Sequence, residues 1–260
     1  MKPSFLNSDK PLLCAMIQCS TPEECCEKIR LSLEGGAEAI AIQLDRLKRN
    51  LRSREHLKMI FDSCGGKPIY VTSYRTGENV GMTDEECAEL LLLALECGAT
   101  LFDVMGDMFS PSPMYELTTD EEAIKKQIAL IDKIHRAGGE VIMSSHTYKS
   151  ISIEESLMIA KEQARRGADV IKIVNDANTC DEVAKYINAI LKIQEITDKK
   201  LLFLASGKAE IIRYIGPSFG VCMYLTVVYH GELDTEEQPT LERAKAIRDN
   251  ILLNVYGDNL

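Results

Sequence analysis

The sequence lacks the patterns that mark several common protein classes. No apolar run approaches the roughly 18–20 residues that a membrane-spanning helix needs. Asp9, Lys10 and Pro11 interrupt the first apolar stretch, unlike a secretory signal peptide. None of the nine cysteines forms a C-x-x-C pair, the spacing typical of zinc and thioredoxin-type sites. These absences predict a reduced, cytoplasmic protein with no membrane partner.

Basic charge is also scarce. The chain has 30 Lys and Arg residues against 40 Asp and Glu residues, a formal net charge of −10. This excess of acid disfavours nucleic acid as a partner, but it does not exclude a small anionic substrate, because a pocket can carry its own local charge. The 260 residues are 45% hydrophobic and 27% charged, an ordinary globular composition. No linker divides them, so residues 1–260 are predicted to form a single domain.

Short apolar runs of strand length alternate along the chain with longer stretches of helical periodicity. Three helical stretches end in Gly-Ala, at Gly36, Gly98 and Gly167, and an apolar run follows each at once. Eight such units in 260 residues predict an α/β fold, the parallel eight-stranded (β/α)₈ TIM barrel. A doubly wound open sheet is the alternative, but no Gly-rich phosphate-binding turn follows the first strand. The predicted strands are residues 12–18, 38–44, 68–73, 100–104, 140–144, 169–174, 201–205 and 219–225.

Lys172 is the most informative residue of the predicted strands. It lies within the apolar run 169–174, on a strand that a barrel covers on both faces. Burial disfavours the charged form of a lysine, and a neutral amine can attack a carbonyl carbon to form a Schiff base. The alternative is a structural lysine at the rim of the strand, paired with a loop carboxylate.

Three further residues lie where predicted strands or their loops end. His146 follows the apolar run 141–143 and can act as a general acid and base, or simply close the strand with a hydrogen bond. It belongs to the strand before that of Lys172, so the two are expected on neighbouring strands. Arg75 and Arg213 are candidates for holding an anion, because a guanidinium can bind a carboxylate through two hydrogen bonds. Each could equally be a salt-bridge arginine.

With His146 and Lys172 in this order, the sequence resembles the type I 3-dehydroquinate dehydratases, Schiff-base enzymes of the shikimate pathway. The resemblance runs from Leu12 to about Ile251. It is carried by short motifs at the strand ends: Val71-Thr72-Ser73-Tyr74-Arg75-Thr76, Met143-Ser144-Ser145-His146, Gly167-Ala168-Asp169-Val170-Ile171-Lys172-Ile173, Gly207 followed by Ile212-Arg213, and Phe219-Gly220.

The resemblance implies a (β/α)₈ lyase that converts 3-dehydroquinate to 3-dehydroshikimate and water, without metal or organic cofactor, often as a homodimer. Lys172 would form the imine and His146 would move the protons, with Glu78 expected to orient it. The substrate, a small anionic polyhydroxylated carbonyl compound, would be held by the following side chains: Arg75, Arg213, Gln238 and Gln43.

The sequence also departs from the family pattern. The second strand, Ile40-Ala41-Ile42-Gln43-Leu44-Asp45, lacks the acid and arginine that usually precede the Asp, and the strand-4 Glu is replaced in Asp103-Val104-Met105. The acidic partner of the histidine usually lies four residues after Arg75, where this chain has Asn79. Two other functions therefore stay open: an imine-forming or aldolase-like barrel with another polyhydroxylated carbonyl substrate, and a catalytically silent binding paralogue.

Overall fold

The computed structural model describes residues 3–255, in which strands and helices alternate regularly. The strands are β1 Leu12–Ile17, β2 Ala39–Gln43, β3 Ile69–Thr72, β4 Leu101–Met105, β5 Glu140–His146, β6 Val170–Ala177, β7 Lys200–Gly207 and β8 Met223–Thr226. The helices are α1 Pro22–Glu34, α2 Arg54–Asp62, α3 Asp84–Cys97, α4 Glu121–Arg136, α5 Ile153–Arg165, α6 Glu182–Ile196, α7 Ile212–Ile215 and α8 Leu241–Val255.

All the strands are parallel, and each pairs with the next along the chain in the order β7-β6-β5-β4-β3-β2-β1-β8. The remaining seam, between β7 and β8, is joined by a bridge between Leu201 and Val221 and by the hydrogen bond from the Cys222 N–H to the Leu201 carbonyl at 2.7 Å. The sheet is therefore a nearly closed barrel, and the predicted (β/α)₈ fold is confirmed.

Capping residues show why the helices begin where they do. In three helices the side chain before the first turn accepts a hydrogen bond from a backbone N–H, and a glutamate three residues later binds back to the capping residue. This reciprocal arrangement satisfies amide groups that have no partner inside the helix. The pairs are Thr21 with Glu24, Thr83 with Glu86 and Ser152 with Glu155.

The predicted boundaries are wrong in the last quarter of the barrel. The predicted strand 201–205 is too short, since β7 continues to Gly207, because residues 175–177 of β6 pair with residues 205–207. Helix α7 then spans only Ile212–Ile215. The predicted strand 219–225 begins later, at Met223, since residues 216–219 form a 3₁₀ turn that ends at Gly220 with a φ of 104°.

Side-chain alternation along β6 places Lys172 inside the barrel. Lys172 and Val174 share one face and line a cavity, whereas Ile171 and Ile173 are fully buried on the opposite face.

Among the described residues, no helix is long and apolar enough to cross a membrane.

Candidate active site

A cavity of about 440 Å³ lies at the carboxyl ends of the strands, where the side chains that end β2, β4 and β5 meet. Six of the seven site residues predicted from the sequence line it: Gln43, Arg75, His146, Lys172, Arg213 and Gln238.

Lys172 lies on the floor of this cavity with only 3% of its surface exposed. Its Nζ donates hydrogen bonds to the hydroxyls of Tyr74 at 2.5 Å and Tyr70 at 3.1 Å, and to Oδ2 of Asp103 at 3.1 Å. Three acceptors match the three donors of an ammonium group. The sequence analysis gave an ion pair of Lys172 with a loop carboxylate as an alternative. Lys172 does form an ion pair, but its carboxylate belongs to Asp103 of β4, inside the barrel.

The surroundings set the protonation of this cluster. Burial alone would raise the pKa of Asp103, but the Lys172 ammonium and the hydroxyls of Ser144, Tyr70 and Tyr74 outweigh it and lower that pKa. Burial, reinforced by the Asp103 charge, raises the pKa of both phenols well above the usual range. The cluster therefore surrounds Nζ of Lys172 with one ionised carboxylate and two protonated phenols.

His146 ends β5 at the side of the cavity. Its Nδ1 lies 2.5 Å from Oε2 of Glu116, which also accepts the backbone N–H of His146 at 2.9 Å. Because a carboxylate only accepts, Nδ1 is the donor of this hydrogen bond, and Nε2 is the ring nitrogen left to exchange a proton with a substrate. The expectation that Glu78 orients His146 is not met, since the Glu78 side chain is exposed and its backbone carbonyl binds Arg49.

Glu116 reaches His146 from the loop between β4 and α4. Tyr115 and Glu116 have positive φ angles of 63° and 47°, a conformation that costs energy for residues other than glycine. The Glu116 carbonyl packs against Gly106, where a Cβ atom would lie only 2.7 Å from that oxygen. Glycine at position 106 thus allows the loop to bring Glu116 to the histidine.

Arg75 lines the cavity but already has carboxylate partners. Its Nε and Nη2 bind the two carboxylate oxygens of Asp84 at 2.7 Å each, and Nη1 binds Asp107 at 2.8 Å. Burial would lower the pKa of Arg75, but these ion pairs outweigh it and raise that pKa. The charge of Arg75 is thus compensated within the protein by Asp84 and Asp107, and its predicted role in binding an anion stays a prediction.

Arg213 differs from Arg75. It is 5% exposed, and it donates to the Ala205 carbonyl at 2.7 Å and to the Ser206 hydroxyl at 3.1 Å. It forms no ion pair with a carboxylate of the described residues, and burial lowers its pKa although Glu237, Glu210 and Asp176 attract its charge from farther away. A buried guanidinium without a carboxylate is costly, so this position favours an anionic ligand.

The two glutamines also differ from each other. Both ends of the Gln43 amide are occupied, since Oε1 accepts from Gln18 at 2.7 Å and Nε2 donates to Asp45 at 2.9 Å. Oε1 of Gln238 is buried and has no hydrogen-bond partner within residues 3–255, so it is free to accept from a ligand hydroxyl. Gln238 is thus the better placed of the two for direct binding.

Known proteins match both the sequence and the fold. The sequence model of the family described as Type I 3-dehydroquinase matches residues 13–254. The chain belongs to this family. The bifunctional 3-dehydroquinate dehydratase/shikimate dehydrogenase of Arabidopsis thaliana is 27% identical over 236 residues, which make up 89% of this chain and 36% of that protein. The chain therefore spans about a third of this plant relative.

Two further proteins match along most of their length. The 3-dehydroquinate dehydratase of Klebsiella pneumoniae is 24% identical over 246 residues, and the match covers 92% of each chain. The crystal structure of 3-dehydroquinate dehydratase from Geobacillus kaustophilus superposes with a TM-score of 0.81 at 15% identity, covering 96% of this chain and 93% of that one. The structural likeness supports the shared TIM barrel.

Several residues of this type I 3-dehydroquinase site were not predicted from the sequence. Asp103 and Tyr70 could have been found, because a carboxylate or a phenol on a buried strand needs a partner inside the barrel. Glu116 gave no local signal, since its loop has no periodicity that fixes where it lies. Arg46 also lines the cavity, and its Nε is buried without a hydrogen-bond partner among residues 3–255. No cluster of metal-ligating side chains occurs within the described part of the chain.

Proposed function

We propose that this chain is a carbon–oxygen lyase that dehydrates 3-dehydroquinate through an imine on Lys172. The observation that carries the proposal is the shared cavity: the buried Lys172 amine and the His146 imidazole both line it. They come from paired strands, on which Ser144 lies beside Lys172 and His146 beside Val174. Membership of the type I 3-dehydroquinase family supports the choice of substrate.

The residues divide the reaction between them. Lys172 condenses with the ring ketone, and the resulting iminium acidifies the neighbouring C–H bond. Nε2 of His146 removes that proton and later delivers one to the departing hydroxyl group. Glu116 stabilises the imidazolium that forms in between, because its carboxylate contacts Nδ1. Hydrolysis of the iminium then releases Lys172.

The substrate carboxylate is best placed against Arg213, the buried guanidinium that has no acidic partner within the described residues. Gln238 then accepts a hydroxyl through its unpaired Oε1. Gln43 and Arg75 line the same cavity with donors already held by carboxylates, so we place them against the hydroxyl side of the substrate. This arrangement explains how an acidic protein can select an anion.

Borohydride reduction with 3-dehydroquinate, followed by intact-mass measurement, tests the proposal. We expect an adduct on the wild-type chain and none on Lys172→Met, which has a similar length but no amine. Wild-type protein without an adduct at saturating 3-dehydroquinate would overturn the substrate assignment. Equal adducts on both proteins would place the imine on another lysine. The variant Lys126→Met, which removes an exposed lysine of α4, should behave as wild type.

Arg46 favours a second candidate, an imine-forming lyase or aldolase-like enzyme for another polyhydroxylated carbonyl compound. Its side chain lines the cavity, and its Nε is buried without a hydrogen-bond partner in the described part of the chain. Together with Arg213, it would suit a substrate that carries two anionic groups. Turnover of 3-dehydroquinate compared with that of phosphorylated keto sugars distinguishes the two candidates. A higher kcat/KM for the phosphorylated substrates would select the second.

Three further predictions from the sequence are part of this proposal: the chain forms a homodimer, lies in the cytoplasm and needs no cofactor. Light scattering on the purified chain tests the homodimer, for which a mass near 58 kDa, about twice the 29.0 kDa of the chain, is expected. Full dehydratase activity after treatment with a chelator and dialysis tests the absence of a cofactor.

A further inference from the structure

Of the three groups that contact the Lys172 amine, Tyr74 alone also lines the cavity. Tyr70 is fully buried, and Asp103 is 2% exposed below the lysine. The Tyr74 hydroxyl donates to Oδ2 of Asp103 at 2.6 Å and accepts from Lys172 Nζ at 2.5 Å. It therefore lies between Asp103 and the cavity into which the attacked carbonyl group must come. The Lys172 charge is the main cause that lowers the pKa of Asp103, so burial favours a proton on this carboxylate once Lys172 has given up its own.

Tyr74 is also in the correct protonation state to act as an acid. Burial and the neighbouring Asp103 charge keep its pKa high, so the phenol carries its proton at neutral pH. The ring of Tyr74 packs edge-on against that of His146, with centroids 5.2 Å apart, which positions the two groups side by side.

We propose that Tyr74 is a catalytic residue that protonates the substrate's carbonyl oxygen while Lys172 forms its imine, and that Asp103 stores the proton exchanged with it. The inference rests on the imine of the proposed function. In it, Tyr74 transfers the proton needed to form the imine, whereas His146 removes the proton from the C–H bond and protonates the departing hydroxyl group.

The protons balance through the addition step. One ammonium proton of Lys172 moves to Asp103, and the freed lone pair attacks the carbonyl carbon while the C=O π bond opens. The developing alkoxide takes the Tyr74 proton, and a proton from the new nitrogen–carbon adduct restores the phenol. A neutral carbinolamine remains beside a protonated Asp103.

The elimination step returns the stored proton. The carbinolamine C–O bond breaks with its electron pair leaving on oxygen, while the nitrogen lone pair forms the C=N bond. The Asp103 proton reaches the departing oxygen through Tyr74, and water leaves. The iminium cation then lies beside the restored Asp103 carboxylate, which replaces the original ion pair with an equivalent one.

Glyoxylate isolates this step from the rest of the reaction. It carries the carboxylate that Arg213 would bind, but it has no C–H bond next to its aldehyde carbon that His146 could deprotonate. We would measure the rate of adduct formation by quenching glyoxylate with borohydride at short times in wild type, Tyr74→Phe, Tyr70→Phe and Tyr148→Phe. Thermal unfolding of each variant would verify that it is folded.

We expect Tyr74→Phe to slow imine formation about 10²-fold, within the range of general acid catalysis. Tyr70→Phe also removes a hydroxyl that binds Lys172 and Asp103, but away from the cavity, so its loss should be at least about ten times smaller. Tyr148→Phe removes a cavity phenol that makes no hydrogen bond within the described structure, and it should match wild type. The same ranking should appear in kcat with 3-dehydroquinate.

Equal rates for wild type and Tyr74→Phe would overturn the inference, as would equal losses for Tyr74→Phe and Tyr70→Phe, which would indicate a structural role. No adduct with glyoxylate on wild type would overturn it as well, because Lys172 would not be an imine-forming lysine. An adduct with glyoxylate but none with 3-dehydroquinate would remove only the proposed substrate and leave the role of Tyr74 to be judged by the variants.

Discussion

The two sides of the cavity differ in how their polar residues are used. On the β5–β8 side, His146, Lys172, Arg213 and Gln238 all face the cavity, and Arg213 has no acidic partner within the described residues. On the β2–β4 side, Arg75 is bound by two aspartates. The charge of Arg213 is therefore available to a ligand anion, whereas the charge of Arg75 is already compensated within the protein.

The largest expected effect falls on the β5–β8 side. Arg213→Gln removes the cation proposed to bind the substrate carboxylate, so we expect KM for 3-dehydroquinate to rise about 100-fold, corresponding to the roughly 2–5 kcal/mol lost when one partner of a buried charge pair is truncated. Steady-state kinetics checks this value. A KM within threefold of wild type would show that the substrate carboxylate does not bind Arg213. The two sides of the cavity would then no longer differ in their ability to bind an anion.

The second prediction concerns the partner of His146. Glu116→Gln removes the charge that stabilises the imidazolium, so kcat should fall about 10- to 100-fold, within the range of general acid–base catalysis. Glu78→Gln is the matched control, because the Glu78 side chain is exposed, and it should retain wild-type kcat. A larger loss of kcat in Glu78→Gln than in Glu116→Gln would mean that Glu78 is the acidic partner of His146. It would also contradict the contact that the β4–α4 loop makes with His146.

Arg75→Gln should act mainly on stability. It leaves Asp107 and Asp84 without their cation, and the Arg75 side chain is 27% exposed. We therefore expect a loss of about 2 kcal/mol in unfolding free energy, somewhat below the 3–5 kcal/mol typical of fully buried pairs. Urea unfolding measures this loss. A KM that rises as much as in Arg213→Gln, with unchanged stability, would mean that Arg75 binds the substrate directly.

The smallest effect is a pH dependence at the boundary between the two sides, where Asp103 of β4 meets Lys172 of β6. Because the pKa of Asp103 is lower in the folded state than in the unfolded state, its stabilising contribution is present above about pH 4 and is lost as the pH falls through the folded pKa. The stability difference between wild type and Asp103→Asn should therefore narrow as the pH falls below about 4. A constant or widening difference would show that the ion pair is not formed.

Part of the site was predictable because strand geometry places it. Lys172 alternates with Ile171 and Ile173, so its face follows from the sequence, and His146 ends the neighbouring strand. The barrel itself followed from the repeated strand–helix units. The element boundaries near Gly207 and Gly220 did not follow from the sequence. The pairing with β6 extends β7 to Gly207, past the point where local propensity would end the strand.

The partners of these residues were not predictable in the same way. Glu116, not the predicted Glu78, contacts His146, because the loop that carries Glu116 packs against Gly106. The path of such a loop depends on tertiary packing rather than on sequence periodicity. Likewise, the two aspartates that bind Arg75 come from the start of α3 and from the loop after β4. Contacts between elements that are distant in sequence decide which charges are compensated.

The alternation of strands and helices, the inward face of Lys172 and its position beside the strand of His146 all follow from the sequence alone, because they depend on local periodicity and on the order of parallel strands. The surroundings of Lys172 and His146 follow only from the packing of the whole barrel. Tyr70, Tyr74 and Asp103 meet Lys172 from β3, from the end of that strand and from β4, across the interior of the barrel. Their distances, and so their effect on the lysine, arise only when the barrel closes.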